Sequence, residues 1–381
     1  MEKPCIMLVR IFKGDFMNCI ANLRPKPIPN DVFLKSTRLY YQMGKNDYYE
    51  KLFETNYQFI SKNVADQDAY AFFKLFFQDL KIGESRLRTL LLDSTVPKNN
   101  PEQIYKNLIY IFRQVKKKNI EPFSLTVVEI NDLVGLIYKN TSFSSKVQYR
   151  RIKNSTHSLI SKEHSSMREK LEELIEKYNQ LKKEKIYESL ILSVNFTVDF
   201  LNMKIYTGEK NEMIAIIILY IVLIQEGFIV SNYVSFFSKV RFYKDDLFEA
   251  ISKSKFQWQD GLAEVMPLVR YLIKIYTELY NNLSDKARDY EYELGLEISK
   301  SDYVENTIMK LGEVFAKEEI RERHPLISDS TINRTLKRLQ EENKIRPLGK
   351  GRSAKWIKLI KNPKKINFQE QLRFNLGEED E

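Results

Sequence analysis

The chain has 381 residues, 43% of them apolar and 12% aromatic, which excludes global disorder and leaves room for two or three domains. Only 12 glycines and 11 prolines occur, a scarcity of turn-makers that favours a mostly helical protein. Two cysteines, Cys5 and Cys19, are too few to staple a secreted fold and sit in no metal-ligand spacing, and the net charge of +10 raises the question of where the positive charge sits.

In chain order, the apolar run at residues 5–9 is too short for a signal-peptide core. Pro25, Pro27 and Pro29 punctuate an early loop. Residues 68–80 and 101–118 carry Phe, Leu and Ile at helical spacing. Asn99 and Asn100 suit a turn, with Pro101 as a first helical residue. Residues 141–165 read as an ordered loop rich in Ser, Lys and Arg. An amphipathic helix follows over 167–182, with Met167, Leu171, Leu174, Ile175, Tyr178 and Leu181 on one face. A second helix over 186–200 leads into a loop at 202–211. The run 213–224 has no polar face, so it reads as a fully buried core helix, and its twelve residues are too few to cross a bilayer. The sequence therefore predicts a cytoplasmic protein with no membrane partner. Further helices are expected over 231–280 with a break at 254–258, then a charged connecting helix at 284–300.

The last segment carries the charge. Residues 331–365 hold twelve Lys and Arg against Glu341 and Glu342, an excess equal to the net charge of the whole chain. Residues 304–315 are expected as a helix with Val304, Ile308, Leu311 and Phe315 on one stripe, and 318–323 as a short second helix. Asp329 or Ser330 is the expected N-cap of a third helix. On that helix Ile332, Leu336 and Leu339 face the core. Thr331, Asn333, Arg334, Lys337 and Arg338 are left for the other faces, and these residue types read base edges and grip phosphates. Two extended runs, 345–348 and 355–359, flank Gly349, Lys350, Gly351 and Arg352, and Lys355 opens the second run. Helix, helix, recognition helix and basic hairpin in this order predict a winged helix-turn-helix bound to double-stranded DNA.

The middle of the chain resembles the Fic-domain family of bacterial type. The resemblance rests on Tyr149, Arg150 and Arg151, on the helix from Met167, on the stretch Val198, Asp199, Phe200 and Leu201, on the apolar run with Gln225 to Phe228 behind it, and on Phe242, Tyr243 and Trp258 in that order. It implies a helical fold over residues 85–283 and a loop reading His-Pro-Phe-x-Asp-Gly-Asn-Gly-Arg. In that loop the His takes a proton from a target hydroxyl, the acid holds a metal and the Arg cradles phosphates. Here Lys204 stands at the His position, Tyr206 at the Phe, Gly208 at the metal-binding Asp and Glu212 at the Arg. A lysine is a poor general base unless buried, and a carboxylate repels a phosphate, so Glu212 is expected to act as a helix cap. The family's inhibitory motif is also absent, since the nearest stretch, Ser85 to Leu90, has no Glu. His157, His164 and His324 all lie elsewhere.

These readings give a mostly α protein. A helical region at 1–84 precedes a Fic-like domain at 85–283 with a degenerate loop. A connecting helix at 284–300, a small α+β winged helix at 301–365 and a tail at 366–381 complete it. The expected function is a DNA-binding regulator with no cofactor, whose Fic-like part is a scaffold, dimerisation surface or sensor, with a homodimer or a protein partner left open. Two alternatives stay open: a transferase moving AMP to a protein hydroxyl through an unorthodox loop, and an adaptor in phage defence or a mobile element.

Overall fold

The computed structural model describes residues 18–359 except 25–26, 119–122, 145–146, 152–165, 209, 296–299, 325–326 and 350–354. Cys5, Pro25, the run at 5–9, most of the loop at 141–165 with His157 and His164, the hairpin tip with Lys350 and Arg352, and the tail at 366–381 lie outside the described residues. The chain divides into two compact units, Met1–Asp289 and Tyr290–Glu381. Its described residues are mostly helical, with a small sheet in the second unit.

The first unit opens with three helices, α1 (Asn18–Ala21), α2 (Asn30–Met43) and α3 (Asn46–Leu52). The long helix α4 (Tyr57–Phe76) follows, then α5 (Glu84–Leu90) and α6 (Asn100–Val115). Residues 77–80 leave the helical path that spacing predicts for them. Asn99 caps α6, its side chain accepting from the Glu102 N–H at 3.0 Å, so the helix begins at Asn100 with Pro101 in its first turn. Helices α7 (Val127–Tyr138), α8 (Met167–Glu184), α9 (Ser189–Met203) and α10 (Asn211–Gln225) form the middle of the unit. Ser166 and Glu169 close a capping box on α8, and its six predicted core residues are all buried. Helix α10 is buried from Met213 through Leu223, as an all-apolar run requires, with α9 against it. No described helix is long and apolar enough to cross a membrane.

After α10 come α11 (Phe236–Phe242), α12 (Lys244–Lys255) and α13 (Met266–Gly295). The charged stretch at 284–295 is no separate connecting helix, because α13 runs through it without a break. Two buried acids tie the first unit together. Asp68 on α4 accepts from Ser235 Oγ (2.7 Å), the Phe237 N–H (2.9 Å) and Tyr220 Oη (3.0 Å), and pairs with Lys116 at 2.9 Å. Both charged side chains are at most 1% exposed, so each is tolerated only because the other is there. Asp199 on α9 accepts from the Cys19 and Ile20 N–H groups and from Trp258 Nε1 at 2.7–2.9 Å, which pins α1 to α9.

The second unit contains α14 (Lys300–Lys310), β1 (Val314–Ala316), α15 (Lys317–Arg323), α16 (Asp329–Glu341), β2 (Ile345–Pro347) and β3 (Lys355–Lys358). The sheet order is β1-β3-β2, antiparallel throughout, with Phe315 opposite Trp356 and Arg346 opposite Ile357. Its core gathers Val304, Ile308, Phe315, Ile320, Ile332, Leu336, Leu339 and Ile345. The predicted helix at 304–315 is corrected. It ends at Lys310, and Phe315 reaches the same core from a strand. Gly312 interrupts the helical run, and Lys358 Nζ donates to the carbonyls of Met309 (2.7 Å) and Leu311 (2.6 Å) at the helix end. The cap of α16 is also corrected: Ser328 accepts from the Thr331 N–H, while Asp329 pairs with Arg321.

Candidate functional site

The first candidate is the loop between α9 and α10. Helix α9 ends because Lys204 turns into the left-handed region at φ +48°. Its carbonyl accepts from Arg150 Nε at 3.0 Å, and the same guanidinium holds the Met203 carbonyl at 2.7 Å. The Lys204 side chain is exposed. Tyr206 points the other way and is 4% exposed. It forms a β-bridge with Tyr149, and the two rings stack at 5.2 Å. Both hydroxyls donate to Asn131 Oδ1, at 2.7 Å from Tyr149 and 3.0 Å from Tyr206. Burial pushes the Tyr206 phenol well above its ordinary range, so it stays protonated.

Gly208 sits at φ +103°, and an added Cβ would meet nothing within 4 Å. The glycine is there for its backbone conformation and for no close approach. Asn211, which sequence reasoning passed over, holds the loop shut. Its Oδ1 accepts from the Tyr206 N–H at 2.9 Å, and its Nδ2 donates to the carbonyls of Tyr206 (2.9 Å) and Gly208 (3.0 Å). An Asn directly ahead of an apolar helical run was the available signal. Lys210, also missed, donates to the Phe76 carbonyl at 2.8 Å and to Asp79 at 3.2 Å. Glu212 does not cap α10 with its side chain. It forms an ion pair with Lys255 from α12, because at the second residue of the helix its side chain reaches outward to that neighbour.

The four predicted loop positions thus separate. Lys204 and Gly208 face solvent, Tyr206 is core, and Glu212 is spent on an ion pair. Among the described residues no group of three or more His, Cys, Asp and Glu is placed to hold a metal ion. His324 is buried in the second unit and bonded to Thr307 Oγ1. Against the inner side of the loop lies a cavity of about 210 Å³ between the ends of α4, α6 and α7 and the start of α10.

The second candidate is the outer face of α16. Asn333, Arg334 and Lys337 are exposed, opposite the buried Ile332, Leu336 and Leu339. Lys337 has a loose i,i+4 pair with Glu341 at 3.7 Å. Thr331 is half-buried, and its backbone serves the Ser328 cap. Arg338 is turned back into the unit, where Glu305 accepts from it at 2.5 Å and from Lys344 at 2.8 Å. Lys355 and Arg346 are exposed on adjacent strands of the sheet. Of the predicted contact residues, the structure brings Asn333, Arg334 and Lys337 onto one surface and gives Arg338 an internal partner.

No protein-family profile matches the chain, and no curated protein does. Among solved structures, it is similar to a Fic family protein from Desulfovibrio desulfuricans G20, with 11% identity and a TM-score of 0.47 over 90% of this chain and 99% of that one. It is also similar to a Fic domain containing signaling protein from Bacteroides thetaiotaomicron, with 12% identity and a TM-score of 0.44 over 67% and 97%.

Proposed function

We propose that the second unit is a winged helix-turn-helix that binds double-stranded DNA through α16. In the same reading the first unit is a Fic-like domain that has lost nucleotide transfer and serves as scaffold, dimerisation surface or sensor. The observation that carries it is the division of α16: an apolar face buried in the unit, and an amide and two cations exposed on the other side. A helix presented in that way, followed by a two-stranded basic hairpin, has the parts that enter a major groove and grip the flanking backbone. Arg334 and Asn333 are the base-reading candidates, since guanidinium matches guanine and amide matches adenine. Lys337 and Lys355 are the phosphate candidates, together with Lys350 and Arg352 of the sequence between β2 and β3.

The reading of the first unit is supported by what occupies the loop. A Fic-type transfer needs a base, a metal-holding acid and an open helix N-terminus. Lys204, Gly208 and the Glu212–Lys255 pair stand at those places. Incubating the full chain with labelled ATP and Mg²⁺ should leave it and any added protein unlabelled. Label that disappears in Lys204→Ala or Glu212→Ala would restore the transferase reading. For DNA, retention on duplex fragments should fall steeply with salt, and a salt-independent interaction would make the second unit a protein-contact module. Leu336→Ala serves as the control, costing about 2–5 kcal/mol of stability in the second unit whatever ligand is present.

A further inference from the structure

The cavity behind the loop has an unusual lining for a place where phosphates would be expected. Phe77, Tyr138, Phe143 and Tyr206 are among the residues that line it. Ile104 and Ile214, each 1% exposed, close its inner end. Its polar edge is already balanced: Lys210 sits 3.2 Å from Asp79 and also bonds the Phe76 carbonyl. The Asn211 amide is committed to the loop backbone. A charged ligand would therefore find no unpaired counter-charge at that edge, where Lys210 and Asp79 already hold each other, and it would still bring part of itself against apolar walls. Size narrows the choice further. A cavity of about 210 Å³ is larger than the roughly 150 Å³ that takes up benzene in an engineered core. It is smaller than the roughly 300 Å³ at which pockets for drug-sized ligands begin.

The geometry points to a binding site in this cavity for a small, neutral aromatic molecule of one or two fused rings. Four aromatic residues line the cavity, and aromatic contacts with a bound ring add to the burial of its surface. Because Tyr206 and Gly208 form one wall, occupancy is felt directly by the loop between α9 and α10. All lining residues belong to the first unit, so this inference stands apart from DNA binding by the second.

The test uses the full chain with three probes: indole as the neutral aromatic, indole-3-acetate as its anion and ATP as a nucleotide. Calorimetry should show saturable binding of indole, with the anion at least tenfold weaker and no competition by ATP. At 100 times its dissociation constant, indole should raise Tm by about 5 °C. Leu80→Trp places a ring of the protein's own at the rim of the cavity and should weaken indole at least tenfold. Phe143→Trp fills it from another side and gives the same readout should Leu80→Trp fail to fold. The site is overturned if millimolar indole gives no saturable heat, or if either folded variant binds indole as tightly as the wild type. The ligand class is overturned if the anion binds more tightly than indole or if ATP displaces it.

Discussion

In the loop at 204–212 the side chains of Tyr206, Lys210 and Glu212 bond to other parts of the protein, and that of Asn211 bonds to the loop's own backbone. On α16 the arrangement is reversed. Asn333 and Arg334 bond to no described residue, and Lys337 has only its loose pair with Glu341. Both segments adjoin a helix with a strongly apolar face, so burial alone does not separate them. What separates them is the use of polar groups. Apart from Lys204, whose side chain is exposed, the loop consumes its own, which fixes its shape and leaves a single cation to offer a phosphate. The α16 face keeps two cations in water, where each loses little by exchanging a water or a counterion for a DNA oxygen. Arg338 marks the boundary, since it lies on the same helix and Glu305 has already claimed it.

The contrast breaks most visibly at the inward-turned charges. Removing Asp68 leaves Lys116 buried without its counter-ion, so Asp68→Ala should cost about 3–5 kcal/mol. The chain has two tryptophans, with Trp258 in the first unit and Trp356 in the second, so single-tryptophan variants report on each unit by fluorescence during denaturation. The loss should appear at Trp258, with Trp356 unmoved. An equal loss at both would show that the two units do not separate as stable bodies.

Next in size is a pH effect at Asp199. Burial outweighs its three N–H donors and pushes its carboxyl from 3.8 up to about 6. A raised folded pKa means that its contribution is full below 3.8 and is lost as pH rises through about 6. A shift of about two units corresponds to about 3 kcal/mol. The stability advantage of the wild type over Asp199→Asn, read at Trp258, should therefore shrink by about that much between pH 4 and pH 7. An advantage that grows with pH would mean that the N–H donors outweigh burial.

Asn211→Ala removes three hydrogen bonds that close the loop and should cost about 1–3 kcal/mol in the same assay. Hydrogen exchange should then rise at the Tyr206 amide and stay unchanged on α16. A neutral result would show that the Arg150 and Lys210 bonds and the Tyr149–Tyr206 stack hold the loop without Asn211. The smallest expected effect is on the other side of the comparison: Arg334→Ala should change stability by less than about 0.5 kcal/mol. A larger loss would reveal an internal role for that side chain and weaken its assignment to DNA.

The sequence was most legible where one helix face repeats. The six apolar positions of α8, the continuous run in α10 and the Ile332, Leu336 and Leu339 stripe of α16 are all buried as their spacing requires. It was least legible where a segment depends on distant chain. The strand β1 is three residues long and exists because β3 pairs with it some 40 residues later, so Phe315 reads as helical in isolation. The loop at 204–212 was read incompletely for structure. Lys210 needs Asp79, and Glu212 needs Lys255, and nothing local announces either partner. Arg338 looks like its neighbour Lys337 until Glu305 is seen beside it.

The measurement that bears most directly on the central claim is a salt titration of DNA binding by the full chain. Wild type would be compared with a variant in which Asn333, Arg334, Lys337, Lys350 and Arg352 are all alanine, its fold checked by circular dichroism and by Trp356 fluorescence. The account predicts affinity that falls linearly with salt on logarithmic axes, and a slope that drops by about one for each phosphate contact removed. It also predicts that Arg334→Ala alone narrows the gap between preferred and random duplexes by about 1–3 kcal/mol. A folded five-fold variant that binds DNA as tightly as wild type, with the same salt slope, would contradict it.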